Sequence, residues 1–483
     1  MGENMSNKTA FYVLLLTLTL CLNCFRQLQY QTAELDSIEE QITEQGGVRP
    51  ATGKTDTLNF VAMWKDEGHR EVFIRNVCQE FKILNQNIYL NMKFKEDIPE
   101  IRDNVENDRE KNISRFITNQ IQKPEYDWDI VPLLSGQMYK YTGDFLSDPS
   151  WGHQYLVDFR EIPGFAETQN PDVLNNPTFS SGYDNIVTGP FIEGWYHVIY
   201  YNQDVAKDMG LEIKQFGMTT SDLLDYLKKI DEYNQTHSKH IAAFYDASDW
   251  INLGILWNYL LKSALGFSSN WVSPNRLNDT NQAAFYEVLK LFETMGQYHP
   301  LISSASTNKW NETESVILED QAVFFVNGTW MYNLWEKIDV EKADKMIPCE
   351  LPFIRPIDFY PGTFQADYAI FKHSKRKEEA VKFLMFMASK DIAEDWVQMA
   401  KSPTGIKRHF SSGVIGDDIY ESFISTISEK YRNHIGDITV NVFGKNSQLM
   451  FELQDLHRLL RQEATADQIF SKYKHLLSRM GEV

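Results

Sequence analysis

This chain is short of most of the features that mark an enzyme by motif. Four of its 483 residues are cysteine, and only Cys78 and Cys349 lie beyond the first 25 positions, so no disulfide framework holds it together. Past that N-terminal stretch there is no Cys-x-x-Cys. Nowhere is there a GxSxG, an HExxH, a P-loop or a strand-following GxGxxG. Its eleven histidines show no ligand spacing, so the sequence gives no case for a metal or a cofactor. Basic residues are few, with Lys+Arg at 47 against Asp+Glu at 67 and a net charge of −20. That balance disfavours nucleic acid and anionic membrane surfaces as partners. Carboxylates are plentiful enough for a glycosidase pair, but nothing in the sequence positions one.

Long apolar runs are also scarce, with one exception. Residues 10–22 read AFYVLLLTLTLCL, with Lys8 before and Arg26 after. The run is short against the roughly 20 residues of a membrane span and suits the core of an export signal. Residues 1–25 are therefore expected to be a signal peptide or N-terminal anchor, and the protein is expected to be exported, to the periplasm or the outer face of the cytoplasmic membrane. A lipoprotein signal places a small residue before its cysteine. Here Leu20 precedes Cys21 and Asn23 precedes Cys24, and neither fits that pattern well, so lipid anchoring to the membrane stays open. Residues 26–56 are polar and read as a tether, with a brief heptad-like spacing of Leu28, Leu35, Ile38 and Ile42.

The body starts at residue 57 and is long enough for two lobes with their own cores. Leu58 to Trp64 (LNFVAMW), Ile88 to Phe94 and Trp128 to Leu134 read as strands, with helices between them up to Phe81 and over Ile113 to Ile121. Alternating strands and helices predict an α/β fold with a parallel sheet, whose ligands bind beyond the carboxyl ends of the strands. Those ends carry Trp64, Asp66 and Glu67, then Ser135 and Gln137. Further strands are predicted over Tyr196 to Tyr201 and Ala242 to Trp250. Helices are predicted after Thr219, over 251–265, 281–297 and 313–320, and through the last segment from about 416.

Three segments occur in a telling order. Val198 to Gly210 reads VIYYNQDVAKDMG. Val323 to Trp330 reads VFFVNGTW. A strand at Tyr368 to Phe371 then leads into a helix with apolar Ala380, Phe383, Leu384 and Met387, one buried stripe, followed by a second helix from about Ile392. In this order they resemble the extracellular solute-binding proteins of bacterial ABC importers, in the sugar-binding branch that includes the maltose-binding protein. The resemblance spans about residues 57–415. It implies a type II periplasmic-binding-protein fold, with two α/β lobes joined by a hinge and a ligand cleft between them. Lobe 1 would be 57–195 and 366–413, and lobe 2 would be 196–365 and 414–483. It also implies a sugar ligand, ABC permease subunits as partners and no catalysis. Cys78 and Cys349 would fall in different lobes, where a bond would lock the hinge, so two free buried thiols are expected.

Sugars present C–H faces and hydroxyl edges, so their sites combine flat aromatics with carboxylates and amides. The strand ends carry that mixture at Trp64, Asp66, Glu67, Glu193, Trp195, Asp246 with Asp249 and Trp250, Trp330, and Phe364, Gln365 and Asp367. In the family pattern Trp330, in NGxW, is a cleft aromatic. Duller roles stay open for several of these residues. Trp64 could cap the first core, Asp66 and Glu67 could cap a helix, and Trp250 could join a helix stripe. Three other roles also stay open: a tethered ligand sensor, a secreted carbohydrate-active enzyme, and metal capture by Tyr200 and Tyr201. In a strand those two tyrosines point to opposite faces.

Overall fold

The computed structural model describes residues 56–102, 108–268, 274–312, 317–408, 418–444 and 447–480. The predicted export signal and tether lie outside these residues. No helix among the described residues is long and apolar enough to cross a membrane.

Two sheets organise the body. The first has four strands in the order β2-β1-β3-β9, namely β1 (Asp56–Ala62), β2 (Ile88–Phe94), β3 (Ile130–Pro132) and β9 (Tyr368–Ile370). β1 pairs in parallel with β2 and β3, as the strand–helix alternation predicts. β9 arrives from a distant part of the chain and pairs antiparallel to β3, so the sheet is mixed. The second sheet runs β10-β8-β4-β6-β5. Its members are β4 (Glu193–Asn202), β5 (Ala242–Phe244), β6 (Ala322–Gly328), β8 (Tyr360–Gln365) and β10 (Ile435–Gly436), with β7 (Met346–Cys349) added to β4.

Side-chain alternation along the strands assigns the cores. In β1, Leu58, Phe60 and Ala62 face the helices His69–Leu84 and Lys377–Met387, while Val61 faces the opposite cluster around Ile113, Phe116 and Ile117. In β4, Tyr196, Val198 and Tyr200 point one way, and Ile199 points to the second lobe's own core with Leu223, Leu256 and Phe292. Helix His69–Leu84 buries Phe73, Ile74, Val77, Cys78 and Phe81, an apolar stripe at helical spacing that includes the cysteine. Cys78 and Cys349 are both free and buried, and burial pushes the Cys78 thiol up to about 12 against the pull of Lys82 and Arg75.

The sequence-predicted elements recur with shifted ends. β1 stops at Ala62, two residues before Trp64, and β5 covers only the start of the predicted strand at 242–250. The helices Leu253–Ala264 and Asp279–Gly296 match two of the predicted spans. The predicted helix at 313–320 is represented only by the short turn Ile317–Glu319, and 313–316 lie outside the described residues.

Trp396 joins these layers. Its fully buried ring packs 5.1 Å from Trp64 and 5.2 Å from Phe73, and its Nε1 donates to Pro403 O at 3.0 Å. Trp396→Ala leaves a large cavity and one unsatisfied carbonyl. We expect a loss of roughly 3–5 kcal/mol in urea unfolding, read as a lower midpoint.

Candidate functional site

The site grows from one strand. β4 pairs antiparallel with β8, matching Glu193 to Gln365, Gly194 to Phe364, Trp195 to Thr363 and Tyr196 to Gly362. It also pairs with β6, matching His197 to Gly328. Glu193, Trp195 and His197 therefore share one face. Tyr196 takes the other, packing edge-on against Tyr360 at 5.8 Å and Phe364 at 6.1 Å to close the back.

Trp330 reaches the same open face from the end of β6. Thr329 N donates to Tyr196 O at 3.0 Å, and Tyr196 N returns a bond to Thr329 Oγ1 at 3.3 Å, tying the NGTW turn to β4. The Trp330 ring then folds back over Gly328, where an added Cβ would lie only 1.8 Å from a ring atom. The ring stands edge-to-face with Trp195 at 5.6 Å and with His197 at 5.8 Å. All three side chains are half-buried. Burial pushes the His197 imidazole down to about 4, with Asp437 pulling the other way, so this ring is neutral at physiological pH. Its Nδ1 is enclosed and has no partner.

A buried polar network lies next to this aromatic wall. Arg70, from helix His69–Leu84, places Nη1 2.6 Å from Glu193 Oε1, and the two side chains are only 5% and 8% exposed. Gln365 Nε2 donates to Glu193 Oε2 at 3.0 Å and to Asp367 Oδ1 at 2.9 Å. Asp367 is fully buried, and burial, then the neighbouring Glu193, hold its carboxyl well above the usual carboxylate range.

The loop after β1 approaches from the first sheet. Trp64, Asp66 and Gly68 all have positive φ, at 73°, 62° and 58°. A left-handed tryptophan is strained, and such strain concentrates at functional loops. Trp64 itself is 1% exposed and packs against Phe73, Tyr368 and Trp396, so its ring belongs to the core. Asp66 is exposed, and Glu67 is half-exposed, 3.5 Å from Arg70 Nη1. Gly68 packs on the helix Met331–Glu336, and His69 N donates to Glu336 Oε1 at 2.7 Å, so the loop is pinned across to the element that follows Trp330.

The other predicted residues divide. Ser135 caps the helix Gly136–Leu146 by accepting from Met138 N, and donates to Glu110 Oε1 at 2.7 Å; Gln137 is exposed beside it. Phe364 is buried in the back layer, 5.5 Å from Phe179. Asp246 is fully buried, taking Asn252 N at 2.7 Å and His457 Nε2 at 2.8 Å, which shapes the turn beneath Trp250. Trp250 is 44% exposed, and its ring lies 4.4 Å from Trp310, which Asp249 holds through its backbone N–H at 2.8 Å. Tyr200 is fully buried and donates to Gly328 O at 3.1 Å, a structural role. Among the described residues no group of three His, Cys, Asp or Glu is placed to hold a metal.

Sequence reasoning missed Arg70, His197 and Trp310. Their partners Glu193, Trp330 and Asp249 lie more than 60 positions away, and no local motif marks them.

The two sheets, with a mixed aromatic and polar face where β4, β6 and β8 meet, define the periplasmic-binding-protein class of fold. A profile of the bacterial extracellular solute-binding proteins matches residues 102–410, and the chain belongs to that family. Among solved structures it is similar to apo RafE from Streptococcus pneumoniae, with TM-score 0.60 and 14% identity over 88% of this chain and 97% of that one. RafE in complex with raffinose gives TM-score 0.57 at 13% identity, over 86% and 97%. The GacH receptor of Streptomyces glaucescens gives TM-score 0.57 at 12% identity, over 88% and 99%. At these identities the likeness is one of fold. No curated protein matches the chain.

Two outcomes follow from the geometry. Gly328→Ala forces the Trp330 ring off the strand end, and we expect altered tryptophan fluorescence together with weaker ligand binding. Asp367 has a folded pKa above its unfolded value of about 4. Between those values the native state holds a proton that the unfolded chain has lost, so stability falls as pH rises through that window. Asp367→Asn removes this loss. Its melting temperature should match the parent near pH 4 and exceed it at pH 8.

Proposed function

We propose that this protein captures a sugar or oligosaccharide in the cleft between its two lobes and delivers it to the permease of an ABC importer. The observation that supports this most is the half-buried, edge-to-face pair of Trp195 and Trp330 beside Glu193 and Gln365. Aromatic faces cover the C–H surface of a sugar, and the adjacent carboxylate and amide bind its hydroxyls. Neutral His197 adds a third ring to the same wall. Trp250 and Trp310 add a second aromatic pair beyond β5, which lies parallel to β6 and ends at the same sheet edge as Trp330.

The reading takes the first sheet as the core of lobe 1 and the second as the core of lobe 2, with crossings near 195 and 366. Ligand bridging both lobes favours the closed state by its differential affinity for that state. The family is one of extracellular binding proteins rather than enzymes, and an N-terminal export signal accords with it.

Calorimetric titration with mono- and oligosaccharides tests the proposal. One saturating saccharide should bind one to one, and Trp330→Ala should weaken it at least about tenfold, the loss of one stacked aromatic contact. No binding by the folded protein would overturn it.

A further inference from the structure

A groove of about 880 Å³ opens between segment 171–178 and segment 434–441, and none of the sequence-predicted site residues lines it. Asn176 Nδ2 donates across it to Ile435 O at 3.1 Å. Its most unusual lining residue is Lys262, at the end of helix Leu253–Ala264. This lysine is 3% exposed, with its Nζ 4.2 Å from the Phe267 ring centre and 4.0 Å from that of Phe359. The ammonium donates to one backbone carbonyl, Asp437 O, at 2.5 Å. Among the described residues it makes no ion pair, though the Asp437 carboxylate pulls on it electrostatically.

Buried lysines are almost always paired, because an isolated ammonium loses its hydration without compensation. Two ring faces and one carbonyl compensate only in part, and burial pushes Lys262 down to about 8 against the pull of Asp437. Around it the groove presents amides and hydroxyls from Asn175, Asn176, Thr439 and Asn441, together with the carboxylates of Asp172 and Asp437 and the imidazole of His434, which pairs with Asp358. The Asp437 carboxylate also favours the charged form of His197, against the larger effect of burial.

We propose that this groove receives the acidic group of a saccharide, with Lys262 as the cation that pairs it and the surrounding amides as partners for the adjacent hydroxyls. This inference rests on the carbohydrate reading and narrows it to ligands carrying a carboxylate or sulfate. The acid completes the charge pairing that the protein leaves open, and neutral sugars forgo that interaction.

The full chain is titrated with digalacturonate, its dimethyl ester and a 6-O-sulfated galactose, alongside Lys262→Met and Lys262→Arg. The expected result is at least tenfold tighter binding of an acidic probe than of the ester. Lys262→Met should abolish that preference by weakening the acidic probe far more than the ester, and Lys262→Arg should retain it. The wild-type preference should also fade between pH 7 and about 9.5 as the ammonium is lost, while ester binding holds, a readout that needs no variant. Preference for digalacturonate alone or the sulfated probe alone assigns the acid. Equal binding of acid and ester, or a preference that survives Lys262→Met, overturns this inference and leaves the carbohydrate reading standing. If no saccharide binds, both fall.

Discussion

The contact on which the rest depends is Arg70 to Glu193. The arginine belongs to the first helix after β1, and the glutamate starts the long strand β4 that carries the chain into the second sheet. Both are almost fully buried, so neither charge keeps its water, and an ion pair so placed is costly to break from one side only. Gln365 then ties Glu193 to Asp367, on the segment that returns to the first sheet. The start of β4 and the segment leading into β9 are thereby fastened at one point. The pair contributes less to net stability than to where these two segments sit, because desolvation offsets much of its Coulomb attraction.

The site follows from that placement. With Glu193 fixed, the period-two alternation of β4 leaves Trp195 and His197 on the same open face and buries Tyr196 behind. β6 is held in register against β4, so the turn after it delivers Trp330 onto His197 and Trp195. The single glycine at 328 is what lets the indole lie back across the strand end. The open aromatic face is thus assembled from backbone register and one missing side chain.

Much of this was legible in the sequence. The apolar stripes of 73–81 and 380–387, the parallel start of the first sheet and the NGTW turn all follow from local periodicity and turn chemistry. What local pattern could not supply was partnership. Trp64 sits at a strand end, where sites form, yet the distant Tyr368 and Trp396, with Phe73 of the next helix, enclose it. Asp246 looks like a cleft acid, but His457, 211 residues later, claims it. Arg70 lies in an ordinary amphipathic helix, and only the return of β4 makes it a hinge cation. The antiparallel entry of β9 is likewise invisible, because its partner strand precedes it by more than 230 residues.

The acidity of the chain bears on its ligand. A protein of net charge −20 repels anions at long range, so any acidic ligand must be met by a local cation that solvent does not screen. Surface lysines serve poorly, since the pairing strength of exposed charges is small. A cation removed from water, held between aromatic rings and left without a carboxylate partner, meets the requirement, because the same desolvation that depresses its affinity for a proton strengthens its attraction to an anion entering beside it. Low dielectric around Lys262 is therefore both what destabilises its unpaired charge and what gives an acidic sugar its advantage over a neutral one.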